Sequence, residues 1–178
     1  MKQIFEKNDF QIVRFDNIDF LKNPEELSKM FSSVFDSAED ESVMEDGNVE
    51  TTLYDFFFDE KGCLLYFMLK DDKPVSTALF STIDKHKHLE IVGTHEDYRT
   101  LGYAKTLLDC ASVDLAKNYK TKYFTACVNE ENYKSQNLHE SFSRTSGVRT
   151  ITNKYNDKVE WTFDISKLAR EEELSKLL

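Results

Sequence analysis

The sequence predicts a mixed α/β fold, a sheet of about six to seven strands with helices packed against it. Three observations predict it. Short apolar runs rich in aromatic and β-branched residues recur along the chain, a helical apolar stripe follows the run at 88–94, and a two-residue turn closes a hairpin near the end. The 178 residues fit a single domain over 1–178, with its core at about 10–165 and a tail at 166–178. A content of 40% hydrophobic residues with only 5 Gly and 2 Pro is enough for a core and excludes a disordered or fibrous chain.

The first strand is read at Gln11 to Phe15. Asn23-Pro24 then supplies an N-cap with Pro at the first helical position, and Leu27, Met30, Phe31 and Val34 continue at helical spacing, which predicts a helix over about 24–36. From Asp36 to Glu50 the chain carries seven acidic residues and no Lys or Arg, and it reads as a solvated loop or frayed helix. Cys63 to Leu69 and Val75 to Ile83 flank a turn at Asp71-Asp72-Lys73-Pro74 and form a hairpin, which a strand at about His88 to Thr94 extends. Leu101, Ala104, Leu107, Leu108, Ala111 and Leu115 make the apolar stripe of a helix. Tyr123 to Val128 is a strand and Asn132 to about Arg144 a helix. Val148 to Asn153 and Val159 to Phe163 close a hairpin at Asn156-Asp157, and the tail from Ser166 reads as helical.

Charge and composition narrow the function. A net charge of -10 repels polyanions, so nucleic acid is not an expected partner. The longest apolar run, Cys63 to Leu69, is far short of the ~20 residues a membrane span needs, and no apolar secretory segment opens the chain; a cytoplasmic location away from membranes is expected. Cys63, Cys110 and Cys127 are odd in number and lack C-x-x-C spacing, so they read as reduced core thiols. His86-Lys87-His88 puts two imidazoles on one strand face, but no third ligand has an obvious place; the pair reads as a solvated strand end, and no metal is expected. Trp161 and the Phe-rich segment 56–58 read as core, or as a wall of an acceptor pocket.

The chemistry concentrates between His88 and Ala104, where a strand runs through a polar turn into the most regular amphipathic helix of the chain. Such a turn leaves several backbone N–H groups unpaired and aimed at one place. Gly102 clears a close approach, Ala104 keeps the first turn slim, the helix dipole adds partial positive charge, and Arg99 and Lys105 can add full charges. Together these make an anion site suited to a phosphate or pyrophosphate, although a glycine at a helix start also serves plain packing.

The run Arg99-Thr100-Leu101-Gly102-Tyr103-Ala104 resembles the R/Q-x-x-G-x-G/A motif of the GCN5-related N-acetyltransferase (GNAT) family, and Thr94-His95-Glu96-Asp97-Tyr98 resembles the approach to it. The order of elements agrees from about residue 10 to 165. The resemblance implies a layered sheet with helices on both faces and a splayed pair of parallel strands, here about 88–94 and 123–128. It implies acetyl-CoA as co-substrate, its pyrophosphate on the backbone amides from Thr100 to Ala104 with Arg99 and Lys105 nearby. Its pantetheine would lie along Val92, Gly93 and Thr94, with Asn132 at the start of the next helix. The implied reaction is direct attack of a primary amine, small-molecule or peptide, on the thioester.

Positioning should dominate such a reaction. An alkyl amine of pKa ~10.4 is almost wholly protonated at neutral pH, so a base is needed. Glu90 is the candidate, sharing a strand face with His88 and Val92 by the period of two; its other reading is a carboxylate paired with Lys87. The family often protonates the departing thiolate with a Tyr on the helix after the fifth strand. Aligning Asn132 with the usual asparagine puts His139 at that place, followed by Glu140, and the usual Gly-Phe pair is missing. His139 can donate a proton or simply face solvent; Tyr133 is the second candidate. The acidic stretch Asp36 to Glu50 would border the acceptor site and attract a cationic substrate. A homodimer, frequent in the family, is compatible with the Leu-bearing tail. The His in place of Tyr also leaves open a non-catalytic acyl-CoA-binding or regulatory module on the same fold.

Overall fold

In the computed structural model, which describes residues 1–7, 9–35, 53–54, 56–58, 62–146 and 148–170, eight strands pair into one sheet. They are β1 (Lys2–Lys7), β2 (Phe10–Asp16), β3 (Leu64–Lys70), β4 (Lys73–Ile83), β5 (His86–Thr94), β6 (Tyr123–Asn129), β7 (Arg149–Tyr155) and β8 (Lys158–Asp164). Their order across the sheet is β1-β2-β3-β4-β5-β6-β8-β7. Every pairing is antiparallel except β5 with β6.

The described helices include α1 (Asn17–Lys22), α2 (Pro24–Val34), α3 (Tyr103–Asn118) and α4 (Tyr133–Thr145), with 3₁₀ segments at Glu96–Tyr98 and Ser166–Arg170. One face of the sheet is covered by α1 and α2 through Phe20, Leu27, Phe31 and Val34. The other is covered by α3 and α4 through Leu107, Leu108, Ala111, Leu115 and Phe142. Among the described residues no helix is long and apolar enough to cross a membrane.

Four readings of the sequence change. The sheet has one strand more than expected, because β1 pairs with β2 at the edge although both its ends carry charge. A short helix, α1, precedes α2; Asp16 accepts from the Ile18 and Asp19 amides at 2.9 and 3.0 Å, and Asp19 closes the reciprocal bond of a capping box. Asn23, expected to cap α2 with its side chain, makes no such bond. Leu101, expected within the stripe of α3, lies before the helix and is 61% exposed. The acidic stretch from Asp36 to Glu50 and the tail beyond Arg170 lie outside the described residues. Asp16→Ala is expected to cost ~1 kcal/mol of unfolding free energy, read from denaturant unfolding; an unchanged midpoint would contradict the capping role.

Buried polar bonds fix α3 on the sheet. Arg14 Nη1 donates to Asp114 Oδ2 at 2.6 Å, Tyr66 Oη donates to the same oxygen at 2.8 Å, and Asn118 Nδ2 donates to Oδ1 at 2.6 Å. Burial, with the Asp114 charge beside it, holds the Tyr66 hydroxyl well above the usual phenol range, so it stays a donor. Nearer the start of α3, Ser146 Oγ at the end of α4 donates to Asp109 Oδ1 at 2.5 Å.

Candidate active site

Residue pairing between β5 and β6 covers only Lys87 with Phe124, His88 with Thr125 and Leu89 with Ala126. Beyond these rungs β5 continues to Thr94 and β6 to Asn129 without pairing to each other. Two parallel strands that part in this way leave main-chain donors and acceptors facing a cleft. On the far side of β5, the His95 amide donates to Val75 O at 3.0 Å. Strand alternation therefore turns the amides of Val92 and Thr94 towards the open side. Because β5 and β6 run parallel, the starts of α3 and α4 flank the same mouth of the cleft.

The turn from β5 into α3 is built by local bonds. Tyr98 N donates to His95 O at 2.9 Å, Arg99 N to Glu96 O at 3.2 Å, and the Arg99 Nε to Thr94 O at 3.3 Å. Thr100 and Gly102 both take left-handed backbone angles, φ 66 and φ 82. A Cβ on Gly102 would meet nothing within 4 Å, so the space over the turn is open and the glycine answers to the backbone angle. Among the described residues no hydrogen bond satisfies the N–H groups from Thr100 to Lys105. Unpaired N–H groups gathered at a helix start have the geometry of an anion cradle. Lys105 adds less to it than its charge promised, since its ammonium lies 2.7 Å from Asp109 Oδ2, one turn into α3.

Gly93 has a separate role. A Cβ there would sit 2.3 Å from Phe35 Cε1, so the glycine lets the residue after α2 lie directly on β5. Phe35 is thereby fixed at the cleft on the α1–α2 face.

Glu90 lies on that same face, where its Oε1 accepts from Ser81 Oγ at 2.5 Å. Its expected alignment with Val92 is corrected by a bulge: Leu79 pairs with Ile91 and Phe80 with Leu89, which leaves Glu90 as the extra residue. The bulge reverses the alternation, so His88 and Glu90 stay together while Val92 turns to the α3 side. The pairing of Glu90 with Lys87 is not formed. Lys87 points to the other face, donating to Gly62 O and, at 2.8 Å, to Thr82 Oγ1 over the Tyr119 ring.

His88 is not a solvated strand end. It is half-buried, with Nδ1 2.7 Å from Thr125 Oγ1, and burial lowers its pKa while the charges of Glu90 and Glu160 oppose that shift. His86 stacks on Tyr123. Among the described residues no cluster of His, Cys, Asp and Glu has metal-binding geometry. Cys63 and Cys110 are buried, whereas Cys127 is half-exposed on the cleft face, its Sγ 3.3 Å from Tyr155 Oη. Trp161 is core, and so is Phe57, while Phe58 is exposed.

The remaining candidates stand at the start and middle of α4. Asn132 caps the helix, its side chain accepting from Ser135 N at 3.0 Å. Tyr133 follows with a 71% exposed side chain. His139 does not face solvent: it is 1% exposed and packed between Trp161 and Phe163 on the α3–α4 face, opposite Glu90. Among the described residues its Nδ1 has no hydrogen-bond partner, and burial pushes its pKa down to about 4. Such a ring is neutral at physiological pH.

The unfolded chain, with an ordinary histidine pKa of ~6.5, takes up a proton before this folded His139 does. Its contribution is complete above about pH 6.5 and is lost as pH falls towards about 4. His139→Phe should therefore flatten the fall in stability between pH 7 and pH 4 by ~2 kcal/mol. Denaturant unfolding at the two pH values checks this, and an unaltered slope would contradict it.

Sequence reasoning missed Thr125 and Glu160, which only strand pairing brings to His88, and it missed the contact of Phe35 with Gly93. The His-x-His-x-Glu spacing was the one visible sign of this group.

Comparison with known proteins gives the same architecture. The model of the acetyltransferase (GNAT) family matches residues 25–143. No curated protein sequence matches. Among solved structures, the ribosomal-protein-S18-alanine N-acetyltransferase of Escherichia coli superposes with a TM-score of 0.59 at 16% identity, over 88% of this chain and 94% of that one. The PaiA N-acetyltransferase of Thermoplasma acidophilum, solved in complex with coenzyme A, gives 0.62 at 13% identity over 87% and 98%. An acetyltransferase of Thermus thermophilus gives 0.58 at 12% identity over 90% and 98%.

Proposed function

Since the chain belongs to the acetyltransferase (GNAT) family, we propose that it is an N-acetyltransferase that moves an acetyl group from acetyl-CoA to a primary amine of a small molecule or peptide. One observation carries the reading: unsatisfied amides from Thr100 to Lys105 stand at the mouth of the cleft between β5 and β6. The amides would hold the pyrophosphate, assisted by Arg99, and the open edge of β5 at Val92 and Thr94 would bond the pantetheine. Bound acetyl-CoA supplies an already activated acyl thioester, so what this chain must add is position and proton transfer.

The protonated amine would lose its proton to Glu90, on the α1–α2 face of the cleft. Phe35 would wall the acceptor side. The acid that serves the departing thiolate is assigned to Tyr133 or to water, because His139 is neutral and turned into the core. That burial also favours the second reading, an acyl-CoA-binding or regulatory module without turnover. Calorimetry with acetyl-CoA followed by thiol release across a panel of amines separates the two. Binding with amine-dependent release supports the transferase, binding without release the module, and no binding overturns both.

A further inference from the structure

Resting on the transferase reading, we propose that His88 is a further catalytic residue of this site: its Nε2 takes up the acceptor's proton together with Glu90. His88 sits on the rung with Thr125, next to the last before β5 and β6 part, on the same face as Glu90. Thr125 Oγ1 engages Nδ1 at 2.7 Å. Among the described residues Nε2 makes no hydrogen bond, and it is not a closed-off buried atom. When Nδ1 carries the hydrogen and gives it to Thr125, the free lone pair is on Nε2.

The chemistry of the proton favours this arrangement. An ordinary carboxylate, pKa ~4.3, is about six units less basic than an alkyl amine of ~10.4, whereas imidazole at ~6.5 is about four units less basic. Passing the proton on to imidazole therefore recovers part of that gap, up to about a hundredfold for an ordinary ring and less for His88, whose pKa burial lowers. The acceptor ammonium gives its proton to the Glu90 carboxylate, and the resulting carboxyl gives it to His88 Nε2. The products are a neutral amine, a regenerated carboxylate and an imidazolium.

Burial is the largest influence on that imidazolium and disfavours it; Glu90 on its own strand and Glu160 on β8 offset part of this cost, and His86 on its own strand adds to it. From β6 come Thr125 and the half-exposed Cys127, and from β4 Ser81, none of them a cation. Glu90 and Glu160 have no ion-pair partner among the described residues, which leaves both charges available to His88.

Two measurements on the full chain test this. Nitrogen NMR of the imidazole rings at pH 7.5, with His88 assigned by its loss in His88→Gln, should find Nδ1 protonated and Nε2 bare; a proton on Nε2 overturns the proposal. Thiol release from acetyl-CoA is then compared with butane-1,4-diamine, which is cationic at neutral pH, and hydroxylamine, which is largely neutral there. His88→Gln should lower the diamine rate at pH 7 by about tenfold or more, spare the hydroxylamine rate within about threefold, and leave acetyl-CoA affinity unchanged. Equal losses with both amines, or none, overturn the role of His88 and leave the transferase reading standing. A wild-type protein that binds no acetyl-CoA removes both.

Discussion

Gly102→Glu is expected to abolish acetyl-CoA binding, with a loss of at least about a hundredfold in affinity, equivalent to ~2.7 kcal/mol. Geometry and charge act together at this position. A side chain on Gly102 would enter space that is now open, within the run of unpaired amides from Thr100 to Lys105. A carboxylate there would occupy the anion cradle with the charge of the group it should hold, and at a helix start it would itself be attracted to the unpaired N–H groups. The positive φ of 82 also strains any L side chain, so the control must share that strain. Gly102→Asn does so without a charge, since Asn tolerates the left-handed region best among neutral side chains. Calorimetric titration should therefore show binding retained in part by Asn and lost with Glu. Thermal melting should place both variants together, because both carry the same backbone strain at this position. Equal affinity of the Gly102→Glu variant and the native protein would remove the phosphate assignment and with it the cofactor site.

The contrast between what local sequence shows and what pairing decides runs through the site. The strand, turn and helix from His86 to Asn118 are legible because each depends on near neighbours: the approach to Arg99, the glycine that takes positive φ and the repeating apolar positions of α3 are all encoded within thirty-odd residues. The apolar spacing starts α3 two residues early, since Leu101 matches it although it lies outside the helix. β1 escapes because Lys2 and Lys7 bracket it and its burial depends on β2. α1 escapes because it holds six residues and buries only Phe20, too little for a periodic signal. The side of β5 on which Val92 lies does not follow from a period of two, since one bulged residue at Glu90 reverses the alternation, and only the register with β4 reveals it. His139 is the opposite case: with Phe142 and Ser146 it forms a buried i, i+3, i+7 stripe that is visible in the sequence, but alignment to a family tyrosine competes with that pattern.

Glu90→Gln should lower the acetyl-transfer rate at neutral pH by about 10²–10⁴-fold if the carboxylate accepts the acceptor's proton. The amide keeps the size of the side chain and an oxygen that can accept from Ser81 Oγ, so the bulge and the β4–β5 register should persist. What it loses is the negative charge, which serves both as a proton acceptor and as the partner that favours a protonated His88. The variant must then work on amine that is already neutral. For a pKa of ~10.4 that fraction is roughly 4 in 10,000 at pH 7 and roughly 4 in 100 at pH 9, a gain of about a hundredfold. The rate of the variant should climb about tenfold per pH unit over this range, while that of the native protein climbs less steeply because its base already works at pH 7. The two profiles therefore converge towards alkaline pH. A deficit that stays constant from pH 7 to pH 9 would assign Glu90 to holding the acceptor, and a full rate at pH 7 would leave proton removal to His88 or to water. The hydroxylamine comparison separates holding the acceptor from removing its proton, since a neutral nucleophile is indifferent to the missing base and responds only to a misplaced acceptor.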